Sequence, residues 1–207
     1  MESTNKVSRK DQILQALARM LESAAGERIT TAALAREVGV SEAALYRHFP
    51  SKARMFEGLI EFIEDTLFLR ISRILNEEFS AAVRCEKILT LLLTICAKNP
   101  GMTRLITGDA LAGETKRLRD RIAQFHSRLE SQLKQTLREA QIREHLKTSI
   151  SPVVLANLLL AACEGKLLQF VRSEFTESPL ENWDTQWAYL EKQLLVPYSA
   201  PTAASVS

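Results

Sequence analysis

The chain has 207 residues and 46% of them are apolar, enough to bury a sizeable core in one large or two small domains. Seven glycines and six prolines are too few for a strand-and-turn fold and favour long helices. A net charge of +2 does not by itself mark a nucleic-acid binder, although residues 1–54 hold nine Lys/Arg against six Asp/Glu and concentrate the basic excess at the amino-terminal end.

Residues 1–8 are polar and read as a disordered arm. A first helix is expected from Arg9 to Ala25, with Ile13, Leu14, Leu17, Met20 and Leu21 on one stripe and Gly26 as its stop. Two short helices follow. Thr30 and Thr31 offer hydroxyl caps to the second helix, Leu34, Ala35 and Val38 give it an apolar face, and Gly39 ends it where a positive φ is needed. Ser41 caps the third helix, with Glu42 in its first turn. Ala44, Leu45 and Phe49 hold this helix against the second and leave Tyr46, Arg47 and His48 to project. Such a unit is either an ordinary αα-hairpin or a helix-turn-helix whose second helix enters the DNA major groove. Its position near the amino terminus and its hydroxyl, aromatic and basic exposed residues favour the second reading.

Pro50-Ser51 breaks the chain, and Ser51 can cap a long fourth helix from Lys52 to about Asn76, with Met55, Phe56, Leu59, Ile60, Ile63 and Leu67 as its stripe. The fifth covers about Ala81–Lys98, with Ile88, Leu89, Leu92 and Ile95 inside. Asn99-Pro100-Gly101 reads as a stop. A short sixth helix spans Met102 to about Thr107. The seventh spans about Glu114–Glu144, with Leu118, Ile122, Phe125, Leu129, Leu133 and Leu137 recurring every three to four residues. Residues 145–151 read as a loop. The eighth helix, about Pro152–Glu174, is apolar almost all round in its first half, so it is central or meets another chain. The ninth, about Trp183–Leu195, aligns Trp183, Trp187, Leu190 and Leu194. After Pro197 the sequence reads as a disordered polar tail. No internal repeat is visible.

These elements make an all-α chain of nine helices: an arm at 1–8, a helix-turn-helix domain at 9–54, a helical regulatory and dimerisation body at 55–196 and a tail at 197–207. Cys85, Cys96 and Cys163 are odd in number and lack metal-ligand spacing, so buried reduced thiols in a reducing cytoplasm are expected. The beginning of the chain has no apolar signal region, and the apolar runs near 88–97 and 153–163 look too short to span a bilayer; no membrane association is expected. His126 and His145 stand alone, so no metal and no cofactor is assigned. The acidic pairs Glu64-Asp65 and Glu77-Glu78 are adjacent in sequence, read as solvated, and cannot converge on one substrate, which argues against an enzyme.

The string Val38-Gly-Val-Ser-Glu-Ala-Ala-Leu-Tyr-Arg-His-Phe-Pro-Ser-Lys52 resembles the signature of the TetR family of DNA-binding regulators in residue type and spacing. The nine-helix layout, a three-helix head on a helical body, also resembles that family. The resemblance implies a homodimer in which the last two helices pair with their two-fold mates. Leu155, Leu159, Trp183 and Trp187 are the residues expected at that interface. It also implies a palindromic double-stranded DNA site. Thr31 at the start of the second helix, with Tyr46, His48 and Lys52, suits phosphate. Ser41 and Ala44 are small enough to let the helix approach base edges, and Arg47 can read guanine or screen phosphate.

Further strings narrow the resemblance. They are Leu59-Ile-Glu-Phe-Ile-Glu-Asp65, Asn99-Pro-Gly-Met-Thr-Arg-Leu-Ile-Thr-Gly108, Cys163-Glu-Gly165 and Phe170-Val-Arg-Ser-Glu-Phe175. Together they are similar to the nucleoid occlusion branch of the family over most of residues 9–195. That branch implies a nucleoid-associated cytoplasmic protein which, on DNA, holds the carboxy-terminal tail of the division tubulin homologue FtsZ and antagonises its polymers. By this resemblance the tail site lies between the fourth and fifth helices, at Phe62, Arg70, Leu91, Thr94 and Lys98. Thr94 stands where the branch has glycine, which narrows a groove. Lys98 stands where it has arginine, which loses bidentate pairing. The alternative is a TetR-type transcriptional repressor released by a small apolar ligand, which requires a cavity lined by helices four to eight.

Overall fold

A computed structural model describes residues 8–23, 29–111 and 113–196. The expected arm at 1–7, the end of the first helix at Ala25 and Gly26, and the tail from Pro197 lie outside these residues. Ser8, assigned to the arm, caps α1 (Arg9–Ser23): its hydroxyl accepts from Asp11 N and donates to the Asp11 carboxylate at 2.7 Å.

Among the described residues, nine α-helices enclose one continuous core, giving an all-α fold. After α1 come α2 (Thr31–Val38), α3 (Glu42–His48), α4 (Lys52–Glu77), α5 (Ala81–Lys98), α6 (Pro100–Ile106), α7 (Lys116–Arg143), α8 (Pro152–Arg172) and α9 (Trp183–Leu194). Most of the stripes read from periodicity are buried: Ile13, Leu14, Leu17 and Leu21 on α1, Met55, Phe56, Leu59, Ile60, Ile63 and Leu67 on α4, and Leu118, Ile122, Phe125, Leu129, Leu133 and Leu137 on α7, while Met20 of α1 and Ile95 of α5 are half-buried at the edge of the core. Helices α4 and α7 run parallel. Lys52 pairs with Glu114, Glu57 with Arg117 and Glu64 with Arg121, so the residue numbers rise together along both helices.

Several boundaries differ from those read in the sequence. Asn99-Pro-Gly does end α5, but Pro100 then opens α6 at its first turn, where a missing N–H costs nothing. Gly101 is a packing residue. A Cβ there would lie 1.9 Å from the Ala18 carbonyl oxygen, so only glycine lets α6 touch the α1 backbone. Arg104, buried, fastens the same junction by donating to the Leu21 carbonyl at 2.8 Å and to Asp109 at 2.5 Å. The loop at 145–151 contains a two-residue strand, β1 (Lys147–Thr148), paired antiparallel with β2 (Leu195–Val196). Helix α8 stops at Arg172 because Glu174 and Phe175 take positive φ values of 52° and 66°.

Helix α8 requires two corrections. At 21 residues it is long and apolar enough, by length and composition, to cross a membrane, which the shorter run at 153–163 concealed. One side packs on α5 and α7, where Leu155, Leu159, Cys163 and Leu167 are buried. Leu155 and Leu159, expected at a dimer interface, are therefore core residues of the single chain. So are Trp183 and Trp187, each 2% exposed, with Trp183 Nε1 donating to Thr90 Oγ1 of α5 at 2.8 Å. The apolar residues that α8 and α9 present outward are Val153, Val154, Leu158, Leu168 and Tyr189.

Candidate functional site

The head is built from cap chemistry. Thr30 Oγ1 accepts from Ala33 N at 3.2 Å and starts α2. Gly39, at φ 72°, ends it, with the Val40 N–H returning to the Ala35 carbonyl at 2.9 Å. Ser41 Oγ accepts from Ala44 N at 3.2 Å and starts α3. Leu45 is fully buried and Phe49 nearly so, which anchors one face of α3 in the core and turns the other outward.

On the outward face Tyr46, Arg47, His48 and Ser41 are exposed, while Ala44 and Thr31 are half-buried. Thr31 joins the two helices of the motif: its hydroxyl donates to Glu42 at 2.8 Å and accepts from the Tyr46 hydroxyl at 3.4 Å. These contacts hold Tyr46 upright beside the start of α2, where backbone N–H groups also point outward. Lys52 is not a free cation. Its ammonium lies 2.5 Å from Glu114, a residue of the turn before α7, and over the Phe56 ring. Glu114 lies sixty-two residues downstream, and nothing in its surroundings in the sequence marks it as a partner of Lys52.

The second group of residues spans α4 and α5. Phe62 is 46% exposed, Arg70 and Lys98 are exposed, and Leu91 and Thr94 are half-buried. Phe62 lines an apolar cleft with Leu14 and Gln15 of α1, Leu59 of α4 and Met102 of α6. A more polar cleft beside it is lined by Lys98 and Asn99 together with Gln15, Arg19 and Met102. The two clefts share Gln15 and Met102, so Phe62 and Lys98 flank a common ridge. Arg70 stands two turns beyond Phe62 along α4, about 12 Å at 1.5 Å per residue.

The α1 contribution was not read from the sequence. Its signal was present as Asp11, Gln15, Arg19 and Glu22, polar residues at helical spacing opposite the buried stripe. The solvated reading of Glu64 is also corrected. Glu64 is 5% exposed and held bidentately by Arg121 of α7. The three cysteines are buried and unpaired, and burial pushes the Cys85 and Cys96 thiols up to about 12, which leaves them protonated and inert. Among the described residues no group of acidic, histidine and cysteine side chains could hold a metal ion.

A third cleft, between α8 and α9, is lined by Ala161, Gly165, Gln169 and Tyr189 and adjoins the outward apolar residues of α8.

Residues 13–59 match the tetR family of bacterial regulatory proteins, and residues 80–195 match the SlmA-like tetracyclin repressor-like C-terminal domain. The nucleoid occlusion factor SlmA of Marinomonas sp. (strain MWYL1) is 58% identical over 194 residues, which cover 94% of this chain and 98% of that protein. The nucleoid occlusion factor SlmA of Alteromonas mediterranea is 56% identical over 196 residues, covering 95% of this chain and all of its relative. In fold, the chain is similar to a TetR transcription regulator from Haloarcula marismortui. The TM-score is 0.76 at 20% identity, over 91% of this chain and 98% of that one. The head, the capped helix pair and the near-full-length relatives agree, and the chain belongs to the SlmA family of nucleoid occlusion factors within the tetR family of bacterial regulators.

Proposed function

We propose that the protein is a homodimer that binds a palindromic DNA site on the nucleoid and, when bound, captures the carboxy-terminal tail of FtsZ to restrain division there. Helix α3 enters the major groove, bringing Ser41, Ala44 and Arg47 to base edges. Thr31, Tyr46 and His48 take phosphates on either side, and Lys52 reaches a phosphate by giving up its pairing with Glu114. Dimerisation uses the outward residues Val154, Leu158, Leu168 and Tyr189, since exposed apolar side chains grouped on two neighbouring helices suit a second copy.

One observation carries the reading: α1 of the head walls the same clefts that hold Phe62 and Lys98. An extended tail lying over Phe62 and Leu91, with its acidic groups toward Arg70 and Lys98, touches the head and the body at once. DNA that fixes the position of α1 thereby strengthens tail binding, by a coupling of about 1–3 kcal/mol.

The test is fluorescence titration of an FtsZ tail peptide with the full chain, with and without a DNA duplex carrying its site. Tight binding is expected only with DNA. Arg70→Asp is expected to abolish it while leaving DNA affinity intact, because residue 70 stands about 27 Å along α4 from Lys52. Absence of tail binding by the wild-type protein on DNA overturns the proposal.

A further inference from the structure

Helix α4 carries an outer stripe that the core does not use. Its buried residues, among them Ile60, Ile63, Leu67 and Ile71, share one face. On the outer side Phe62, Thr66, Leu69 and Arg73 recur at i, i+4, i+7 and i+11. At about 100° per residue they all stay within about 40° of Phe62. Phe62 is 46% exposed and Leu69 61%. A single exposed leucine is ordinary, but this one stands two turns from the exposed phenylalanine on the same line.

The cations beside this stripe are free. Lys52 and Arg54, at the start of α4, are paired with Glu114 and Glu57. Arg70 and Arg73 are exposed and form no ion pair or hydrogen bond with any described residue. The acids of α4 are engaged or placed elsewhere. Glu64 is buried and held by Arg121, and Glu78 pairs with Lys87. Glu61 lines a cleft with Arg117 and Arg121 of α7, and Asp65 follows it one turn on, so both lie about 60–100° away from the Phe62 line. Glu77, one turn past Arg73, makes no pair with it. Phe62 also walls the apolar cleft beside α1 and α6, and Lys98 the polar cleft next to it. The stripe is therefore continuous with the site assigned to the FtsZ tail: Lys98 at one end, Phe62 and Leu69 in the middle, two unpaired guanidiniums at the other end.

We propose that the tail site extends along this outer stripe of α4, with Leu69 as a second apolar anchor and Arg73 as the cation that ends it. The inference rests on the tail-binding reading above and assigns it two further residues. It also sets the chemistry of the segment recognised. Phe62 and Leu69 stand about 10.5 Å apart along the helix, and Phe62 and Arg73 about 16.5 Å. The fitting segment presents two apolar side chains about 10 Å apart and a carboxylate beyond the second, where Arg70 and Arg73 meet it without first giving up partners of their own.

The test is titration of a fluorescent FtsZ tail peptide with the full chain on saturating DNA. Leu69→Gln and Arg73→Glu change exposed positions and should leave circular dichroism and DNA affinity as in the wild type. Each is expected to weaken peptide binding about fivefold or more. Charge exchange gives a second readout: a peptide whose acidic residues are replaced by lysine should bind Arg73→Glu better than it binds the wild type. Wild-type peptide affinity in both variants overturns this inference alone, since Arg70→Asp still tests the site itself. A smaller particle in light scattering for Leu69→Gln, with peptide affinity unchanged, assigns the stripe to a second copy of the chain and likewise overturns it. If the wild type binds no peptide on DNA, the tail-binding reading falls and this inference with it.

Discussion

His126 sits where three helices meet. Its Nε2 lies 2.9 Å from the Ile106 carbonyl at the end of α6, its Nδ1 is 2.9 Å from the Glu164 carboxylate of α8, and its ring stands edge-on to Phe125. Burial pushes its pKa down, but the Glu164 carboxylate and the Ile106 carbonyl outweigh burial and leave it above the usual 6.5. A raised folded-state pKa means that the imidazolium is stabilised by folding. That contribution is complete below the unfolded-state value and is lost as pH rises through the folded-state value. Thermal unfolding across about pH 6 to 8.5 should therefore show a falling Tm in the wild type. The slope should flatten in His126→Gln, which retains a hydrogen-bonding group without a titrating one. Parallel curves for the two proteins would contradict the assignment.

The two sides of α8 separate into different roles, and adjacent residues report them. Leu159→Glu places a carboxylate in the protomer core, where the residue is 1% exposed, and should give insoluble or unfolded protein. Leu158→Glu, at a 42% exposed position, should leave the fold intact and convert dimer to monomer, as read by light scattering alongside circular dichroism. A folded dimeric Leu158→Glu protein would move the interface elsewhere. These neighbours also mark how far the sequence could be read. Periodicity located nearly every helix, because the stripes of α1, α4 and α7 each face one core. On α8 both sides are apolar, and hydrophobicity alone cannot distinguish the side covered by the same chain from the side left for a partner. Leu155 and Leu159 therefore fit a partner-facing side by hydrophobicity, yet they lie in the core of the single chain. The caps Thr30, Ser41 and Ser51 and the turn at Gly39 are local chemistry and were legible. The partners of Lys52 and Glu64, and the ladder joining Lys147 to Val196, depend on residues about fifty or more positions apart and left no local trace.

For the whole molecule the decisive joint is α1 against α6. It ties the helix-turn-helix, through α1, to the body, and it forms part of the wall of the two clefts that hold Phe62 and Lys98. Gly101→Ala inserts a methyl 1.9 Å from the Ala18 carbonyl oxygen, so the helices must separate. Overpacking of this kind typically costs about 1–3 kcal/mol. The expected outcome is a lower Tm together with weaker tail-peptide binding on saturating DNA, since Gly101 also lines the cleft that holds Lys98. Unchanged peptide affinity in a folded, DNA-bound Gly101→Ala protein would show that the joint does not carry the coupling.

The chain has only two tryptophans, both on α9, with ring centres 6.2 Å apart and both shielded from water. Its ultraviolet emission consequently reports a single event, the seating of α9 against Thr90 and α5. The head emits through tyrosine alone. Loosening of the DNA-reading motif leaves the tryptophan signal dark to the change, whereas parting of α9 from the body shifts it to the red. Thermal melts followed by this emission and by helical ellipticity should diverge wherever head and body lose structure separately, which gives a label-free measure of how tightly the two halves are bound to one another.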